Sequence, residues 1–322
     1  NYTTGVANPY LLLEPSRTNA IDQSEYIGSA SWAAAGITRS LIITQTSEVN
    51  PEGSAICWKI QGTASDNQLA NNNSTNSGTT ITNSIYVKRV SGTSNVLLRD
   101  VNNNDTSFSL SVADGWKRID VTATATSATA RFYLNLLDFN DEILVWGAQQ
   151  EIGSYPTSYI PTYSVSATRA QDVCNKTNAS GIIGQTDGTL FVDFVWNGLS
   201  DNVADNVIMS LGAQSYGVSN IAISNYNGSL YARVTNGVNV DANIFALILV
   251  AGTRYKCLIT YTNNDVKFYV NGVLEGSDTS VSIPAVSDIY LQNNFPNSKN
   301  INQSLVFSTV LTNAEAITLT TI

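Results

Sequence analysis

Carboxylates are the main candidates for catalytic chemistry in this chain, because its 322 residues include no histidine. Without histidine, the Ser-His-Asp and Cys-His nucleophile systems are excluded, whereas the paired-carboxylate chemistry of glycosidases stays open. The densest acidic group consists of Asp138, Asp141 and Glu142. Asp141 and Glu142 are adjacent, and adjacent side chains on a strand point to opposite faces of the sheet. We therefore predict that this chain has no catalytic role.

Two clusters of aromatic and amide side chains are suited to binding sugars. Glycan recognition combines flat aromatic faces with neutral hydrogen-bonding groups in a groove or loop cluster. The candidate residues are Tyr216, Tyr226, Tyr231, Asn225 and Asn227 in the first cluster, and Tyr290, Gln292, Asn293, Asn294 and Phe295 in the second. The alternative is that both clusters are hairpin tips, which carry Tyr and Asn for purely structural reasons.

The polar surface of the chain is largely uncharged. Charged residues make up 13% of the sequence and the net charge is −9, while runs such as Asn71–Asn73 and Asn102–Asn104 supply neutral polarity. Such a surface suits hydroxyl-rich ligands such as glycans, and it suits an extracellular β-structure equally well. Nucleic acid is excluded as a partner, because DNA binding depends on Lys and Arg neutralising phosphates and the 16 basic residues form no run. An anionic membrane surface would repel the chain for the same reason.

The sequence predicts neither a membrane span nor a disulfide framework. The longest apolar run, Ile244–Ala251, has eight residues, whereas a spanning helix needs about 20, so the run predicts a strand buried on both faces. Three widely spaced cysteines indicate free thiols, which fits folding in a reducing cytoplasm. Because the chain begins at Asn1 and its only Met is Met209, we expect it to be part of a longer polypeptide.

Strand patterns dominate the elements that must position these residues. Apolar and polar residues alternate over Ile119–Ala125, which indicates a half-buried strand, and Gly78–Val90 and Phe132–Leu136 have similar patterns. Leu190–Trp196 is apolar almost throughout, as is typical of a central sandwich strand. These segments predict a protein built mainly of β-sheet.

Turn and cap signals agree with this interpretation. Asn227-Gly228 and Asn271-Gly272 each lie between apolar-rich strands, and Asn-Gly favours the type I′ turn of a hairpin because both residues tolerate positive φ. Helix is predicted only at Ser29–Ala35 and at Thr312–Leu319, where Thr312 and Glu315 have capping-box spacing.

The order of these elements predicts an all-β fold of two β-sandwich (jelly-roll) domains in tandem. The boundary falls where Pro156 and Pro161 interrupt strand pairing and where residues 163–180 lack a clear period. We place the first domain at residues 1–165, a linker at 166–184 and the second domain at 185–322.

A series of distinctive motifs occurs in order along the first half of the chain. The motifs are YTTG (Tyr2–Gly5), LLLEPSRTN (Leu11–Asn19), SASW (Ser29–Trp32), SIYVK (Ser84–Lys88), GWKRIDVT (Gly115–Thr122), VWGAQQEIGSYPTSYIPT (Val145–Thr162) and TRAQDV (Thr168–Val173). Together they resemble the recurring C-terminal region of bacteriophage tail fibres and tail-associated proteins, with Gln150 and Ile152 as mild departures. The resemblance implies a jelly roll similar to a carbohydrate-binding module. Within LLLEPSRTN, we expect Glu14 and Arg17 to form a structural ion pair.

The second half carries three further motifs. They are GTLFVDFVW (Gly188–Trp196), RYKCLITYTNNDVKFYVNGVLEG (Arg254–Gly276) and SLVFSTVLTNAEAITL (Ser304–Leu319). They resemble the opening strand, the central hairpin and the closing strand and helix of a concanavalin A-like or laminin-G-like sandwich. Glucanases on that fold place acidic residues at alternate positions of one strand, and the similar strand here offers only Asp193. These are scaffold motifs, and they do not define an activity.

The resemblance implies a receptor-binding protein of the phage virion, acting in host attachment. Such a protein would fold in the host cytoplasm and act extracellularly as part of the tail. Its expected partners are host surface polysaccharide, other tail proteins and further copies of itself in a homotrimer, whose multivalency would strengthen weak sites. No cofactor is expected to be required. Two alternatives stay open: purely architectural domains for trimerisation or tail decoration, or accessory binding domains of a tailspike polysaccharide depolymerase.

The resemblance also implies a metal site. Jelly-roll carbohydrate modules often hold a structural Ca²⁺ with acidic side chains near the last strand, and this cation takes six to eight oxygen ligands. Asp138, Asp141 and Glu142 are the residues that this comparison indicates. The alternative is a solvated acidic turn.

Overall fold

The computed structural model describes residues 10–32, 41–62, 67–136, 138, 141–199, 206–214, 217–292 and 297–322. The chain divides into two compact units, and the described elements are almost entirely strands. One unit is Ser16–Ala170, here called the first sandwich. The other joins Gln171–Ile322 to the described part of Asn1–Pro15 and is called the second sandwich. The predicted all-β class is confirmed.

The N-terminal strand β1 (Leu11–Leu13) belongs to the second sandwich. It pairs antiparallel with Asn297–Phe307, with Leu12 opposite Asn300. The unit boundary therefore differs from the expected 1–165, because the pairing of β1 lies at the other end of the chain and no local pattern encodes it.

The first sandwich contains eleven strands among its described residues. They are β2 (Arg17–Asn19), β3 (Leu41–Thr46), β4 (Cys57–Gly62), β5 (Asn67–Ser74), β6 (Thr80–Ser91), β7 (Val96–Arg99), β8 (Asp105–Phe108), β9 (Lys117–Thr124), β10 (Thr129–Leu136), β11 (Glu142–Ile152) and β12 (Ala167–Arg169). They form a five-stranded sheet in the order β3-β4-β11-β6-β9, a four-stranded sheet in the order β5-β10-β7-β8, and the pair β2-β12. Side chains from both larger sheets, including Ile60, Val145 and Phe132, share one buried core. Strand β12 lies inside the expected linker, where Thr168 pairs with Thr18 of β2.

The YPTSYIP segment folds back over the outside of the five-stranded sheet. The Tyr159 ring packs on Trp146 with centroids 4.4 Å apart, and its hydroxyl lies 2.6 Å from Ser24 Oγ. Gly147 has φ 65° and a Cβ there would lie 3.2 Å from the Tyr159 ring, which accounts for glycine after Trp146. The motif is thus a clamp that covers the sheet, and its role is structural.

Asn19 connects this clamp to the N-terminal motif. Its side chain is fully buried, and its Nδ2 donates to Ala148 O at 3.0 Å and to Ile160 O at 2.9 Å. Its Oδ1 accepts from the backbone N–H groups of Ile21 and Gln150, each at 3.1 Å. All four hydrogen-bonding positions of the amide are therefore used.

The acidic partner of Arg17 is not the expected one. Arg17 Nε lies 4.0 Å from Glu151 Oε2, and both side chains are buried. Its guanidinium carbon also lies 5.6 Å from the centroid of the Tyr155 ring. The prediction of a Glu14–Arg17 pair is therefore wrong for Arg17, because the fold brings β11 beside β2.

The second sandwich consists of β1 and eleven further described strands. These are β13 (Asn175–Lys176), β14 (Asp187–Leu199), β15 (Asn206–Gly212), β16 (Asn220–Tyr226), β17 (Ser229–Thr235), β18 (Val240–Ile248), β19 (Thr253–Thr262), β20 (Asp265–Val270), β21 (Val273–Asp278), β22 (Ile289–Tyr290) and β23 (Asn297–Phe307). One six-stranded sheet has the order β1-β23-β14-β19-β20-β21, and the other has the order β13-β22-β15-β16-β17-β18. Phe194, Phe268, Ile223 and Leu230 are among the buried residues that join the two sheets in one core.

The hairpin and helix predictions are confirmed in this unit. Asn227 (φ 49°) and Gly228 (φ 80°) connect β16 to β17, and Asn271 and Gly272 connect β20 to β21 with φ of 50° and 84°. Helix α1 (Asn313–Thr320) begins at the predicted capping box and packs Ala316 on the outside of the first six-stranded sheet.

Two other predictions, a helix at Ser29–Ala35 and a strand buried on both faces at Ile244–Ala251, differ from what the structure shows. A short 3₁₀ helix covers Ala30–Trp32, and the rest of the predicted helix, residues 33–35, lies outside the described residues. The run Ile244–Ala251 is not buried on both faces, since Phe245 of β18 is 56% exposed. None of the described helices is both long and apolar enough to cross a membrane.

Candidate functional site

The best-supported binding surface is the outside of the sheet β13-β22-β15-β16-β17-β18, here called the outer face. Ile221 and Ile223 of β16 and Leu230 of β17 pack into the core of the second sandwich. Because side chains alternate along a strand, Tyr226 and Tyr231 point the other way, onto the outer face. Two of the predicted glycan-binding residues are therefore placed on one surface.

Three aromatic side chains on this face form what we call the aromatic patch: Tyr226, Tyr231 and Phe245. Tyr231 is opposite Phe245 in the β17–β18 register, and the two ring centroids are 5.4 Å apart with an interplanar angle of 35°. Tyr231 is buried, whereas Tyr226 is 47% exposed and Phe245 is 56% exposed. The patch thus offers two solvent-accessible rings on either side of a fixed one.

Arg233 holds the central ring from within the sheet surface. The side chain of Arg233 is fully buried, its Nη1 donates to Tyr231 Oη at 3.2 Å, and its Nε donates to Asn220 Oδ1 at 3.4 Å. Its guanidinium carbon lies 5.9 Å from the Tyr231 ring centroid. Exposed Asn243 is opposite Arg233 on β18. The contacts with Arg233 fix the Tyr231 ring before any ligand binds, and the exposed amide of Asn243 lies beside the aromatic patch.

Three hydroxyl groups on the outer face are buried without a hydrogen-bond partner in the described part of the chain. They belong to Ser210, Ser224 and Thr235, and Ser224 is directly opposite Tyr231. Almost all buried polar groups in proteins are paired, so we expect an ordered water to bind each of these hydroxyls. With exposed Asn243 beside the rings, the outer face combines aromatic surface with a neutral amide, the composition that sugar recognition uses.

The remaining predicted residues do not join the aromatic patch. Asn225 is fully buried and lies on the core side of β16, opposite Leu230, while Asn227 forms the turn. Tyr290 is half-buried and opposite Ser210, which puts it on the outer face two strands from β16. Gln292 is buried, and its Nε2 donates to Glu14 O at 3.3 Å. Tyr216, Asn293, Asn294 and Phe295 lie outside the described residues.

Sequence reasoning missed Phe245, Arg233 and Ser224. Phe245 lies within an apolar run that indicates a strand buried on both faces, so it gave no sign of exposure. Arg233 and Ser224 alternate with apolar residues along their strands, and this alternation was the available signal. Which face is exposed depends on the pairing of β17 with β18.

The three acidic side chains named in the sequence do not converge on one point in the described part of the chain. Asp141 is buried, with Oδ2 3.3 Å from Arg89 Nη1, and accepts a hydrogen bond from Ser94. Glu142 Oε1 lies 3.1 Å from Lys59 Nζ, and Asp138 is exposed. No three acidic, His or Cys side chains converge as a metal site anywhere in the described residues. Asp141 and Glu142 are thus paired with cationic side chains, and calcium at this position stays an untested prediction.

Asp193 is held as an ion-pair partner and a hydrogen-bond acceptor. Its Oδ1 accepts from Arg254 Nε at 2.9 Å and from Asn302 Nδ2 at 3.0 Å, and its Oδ2 accepts from Arg254 Nη2 at 2.5 Å. Burial acts to raise the pKa of this carboxyl, but the Arg254 and Asn302 hydrogen bonds and the nearby positive charges outweigh burial and lower it. A carboxylate so engaged is poorly suited to act as a general acid.

Comparison with known proteins finds weak structural likenesses only. No protein-family profile and no curated protein matches the chain. Among solved structures, a CBM40 module of the Ruminococcus gnavus IT-sialidase, bound to α2,3-sialyllactose, has 18% identity and a TM-score of 0.35, covering 42% of this chain and 84% of its own. The leech intramolecular trans-sialidase has 17% identity and a TM-score of 0.36, covering 43% of this chain and 24% of its own.

A third solved structure is the heptameric SAP-like pentraxin of Limulus polyphemus. It has 13% identity and a TM-score of 0.34, covering 42% of this chain and 70% of its own. At these similarities the three structures carry no information about the ligand of this chain.

Proposed function

We propose that this chain is the C-terminal receptor-binding region of a phage tail fibre or tail-tip protein. In this proposal, its second sandwich binds glycan on the host surface without cleaving it. The proposed binding role is based on the aromatic patch, in which exposed Tyr226 and Phe245 lie beside buried Tyr231. The tail context rests on the motif resemblance in the first half of the chain.

Binding would use the outer face in two ways. The rings of Tyr226 and Phe245 would stack on the apolar faces of sugar rings, as aromatic side chains do in ligand grooves. These residues lie on strands two apart, or about 10 Å at the usual strand spacing, so one oligosaccharide would contact both. The exposed side chain of Asn243 would supply neutral hydrogen bonds to sugar hydroxyls.

Assembly would compensate for weak single sites. A single glycan site that relies on ring stacking and neutral hydrogen bonds is expected to bind weakly. Three copies on one fibre would raise the effective affinity by multivalency. We propose a homotrimer in the virion tail, in contact with other tail proteins; light scattering of the full chain measures its oligomeric state.

The test is glycan-array binding of the full chain beside its Tyr226→Ala and Phe245→Ala variants. We expect binding to fall at least about tenfold in each variant, the equivalent of 1.4 kcal/mol. The matched control is Tyr163→Ala, which removes a 66% exposed ring from the first sandwich and should leave binding unchanged.

The same preparations distinguish the other two functions. Absence of glycan binding by the unmodified chain would favour purely architectural domains for trimerisation or decoration. Release of reducing ends from host polysaccharide would overturn the non-catalytic role and indicate part of a depolymerase. Binding that is unaffected by both aromatic variants would show that the aromatic patch is not the site.

A further inference from the structure

A cavity of about 380 Å³ opens where several strands of the first sandwich end. Ser74 is the last residue of β5, and Thr79 directly precedes β6. Together with Thr75 and Asn76, they form the polar rim. Ligand sites in proteins commonly have about 300–1,000 Å³, so this cavity has room for a small ligand.

The rim is free to bind. The side chains of Ser74, Thr75, Asn76 and Thr79 are exposed or half-buried, and within the described chain their side-chain polar groups make no hydrogen bond. Three hydroxyls and one amide therefore face solvent as neutral donors and acceptors. Such groups match the hydroxyls of a saccharide.

Gln150 lines the cavity, and hydrogen bonds fix its side-chain amide. It is buried, its Nε2 donates to Asn83 Oδ1 at 2.9 Å and to Arg131 O at 3.3 Å, and its Oε1 accepts from Asn73 Nδ2 at 3.1 Å. Asn73 in turn donates to Asn71 Oδ1 at 3.1 Å. One lone pair of Gln150 Oε1 has no partner among the described residues, and a preorganised acceptor of this kind needs no rearrangement to bind.

The cavity is electrically neutral in practice. Its one ionisable lining residue is Glu151, whose negative charge is paired with the buried guanidinium of Arg17, with Arg17 Nε 4.0 Å from Glu151 Oε2. Both carboxylate oxygens also accept from Thr157, from its N at 2.6 Å and its Oγ1 at 2.7 Å. Ile81 and Ala130 also line the cavity and belong to a small apolar cluster. A polar rim beside an apolar floor suits the hydroxyls and C–H face of an uncharged sugar ring.

We propose that this cavity is a second saccharide site, which binds one or two sugar residues of an uncharged glycan. It is independent of the aromatic patch, since its lining belongs entirely to Ser16–Ala170. Without an aromatic platform among its lining residues, it would bind weakly, with a Kd of about 1–10 mM.

The test uses the full ¹⁵N-labelled chain and nuclear magnetic resonance titration with neutral disaccharides of glucose, galactose, mannose and N-acetylglucosamine. We expect at least one disaccharide, at up to about 20 mM, to shift the amide signals of residues 74–79 and the side-chain amide of Gln150. Ser74→Trp, which fills the rim, should abolish these shifts. The matched control, Ser91→Trp, changes another exposed residue at a strand end and should retain them.

The outcomes also separate this site from the aromatic patch. Phe245→Ala should leave the shifts at residues 74–79 intact even where it abolishes array binding. Absence of shifts with every disaccharide overturns the cavity proposal, and so do shifts that persist unchanged in Ser74→Trp.

Discussion

A buried lysine should make the stability of the second sandwich depend on pH. Lys299 of β23 is fully buried, and its Nζ donates to Val207 O at 3.0 Å across the sandwich. Burial lowers the pKa of this amine from 10.5 to about 7, and the Cys174 thiol group opposes this change only in part. In the unfolded chain the amine regains its ordinary pKa. Between about pH 7 and 10.5 the unfolded state therefore binds more protons than the folded state.

The sign and size of the effect follow from this difference. Stability rises with pH wherever the unfolded state binds more protons. The destabilisation caused by burying the charged Lys299 amine is therefore complete below about pH 7 and disappears above about pH 10.5. With 1.36 kcal/mol for each pKa unit, the full penalty is about 5 kcal/mol. Between pH 6 and 9.5 it should change by about 3 kcal/mol.

The perturbation is Lys299→Met, which keeps the length of the side chain and removes the titrating amine. Urea unfolding of the full chain between pH 6 and 9.5 gives the free energy of unfolding for the variant and for the unmodified chain. The variant should gain about 3 kcal/mol more over the unmodified chain at pH 6 than at pH 9.5. Lys176→Met, at an exposed position, is the control and should show a constant difference.

If the free energy of unfolding changed with pH in the same way for Lys299→Met and for the unmodified chain, this reasoning would be refuted. They would mean that Lys299 keeps its proton inside the sandwich, with its charge compensated. A variant that is less stable at every pH but still loses the pH dependence would support the lowered pKa, because only the slope reports titration.

Two further predictions concern the framework that carries the sites. Asn19→Leu leaves two carbonyl and two N–H groups without their buried partner, so it should destabilise the first sandwich by at least about 3 kcal/mol; a loss below about 1 kcal/mol in urea unfolding would contradict the bonding described. Thr312→Ala removes the N-cap whose Oγ1 accepts from Glu315 N at 3.3 Å, and it should cost about 1 kcal/mol. Thr312→Ser keeps the hydroxyl and should be nearly neutral in thermal unfolding.

The sequence by itself determined the local elements of this protein. Asn227-Gly228 specified its hairpin, because both residues accept the positive φ that a type I′ turn needs. Thr312 and Glu315 specified the start of α1, because the capping box satisfies local backbone groups. The all-β class followed from the same short-range signals. Each of these features depends on residues only a few positions apart.

Tertiary structure alone decided which surfaces are available for binding. Alternation in β16 and β17 separated Tyr226 and Tyr231 from the core residues, but the exposure of Phe245 depends on β18 lying at the edge of its sheet. The cavity of the first sandwich likewise requires Gln150 of β11 beside Asn73 of β5, which are far apart in the chain. A strand pattern fixes two opposite faces, and only the pairing of distant strands determines which face is buried and which side chains meet.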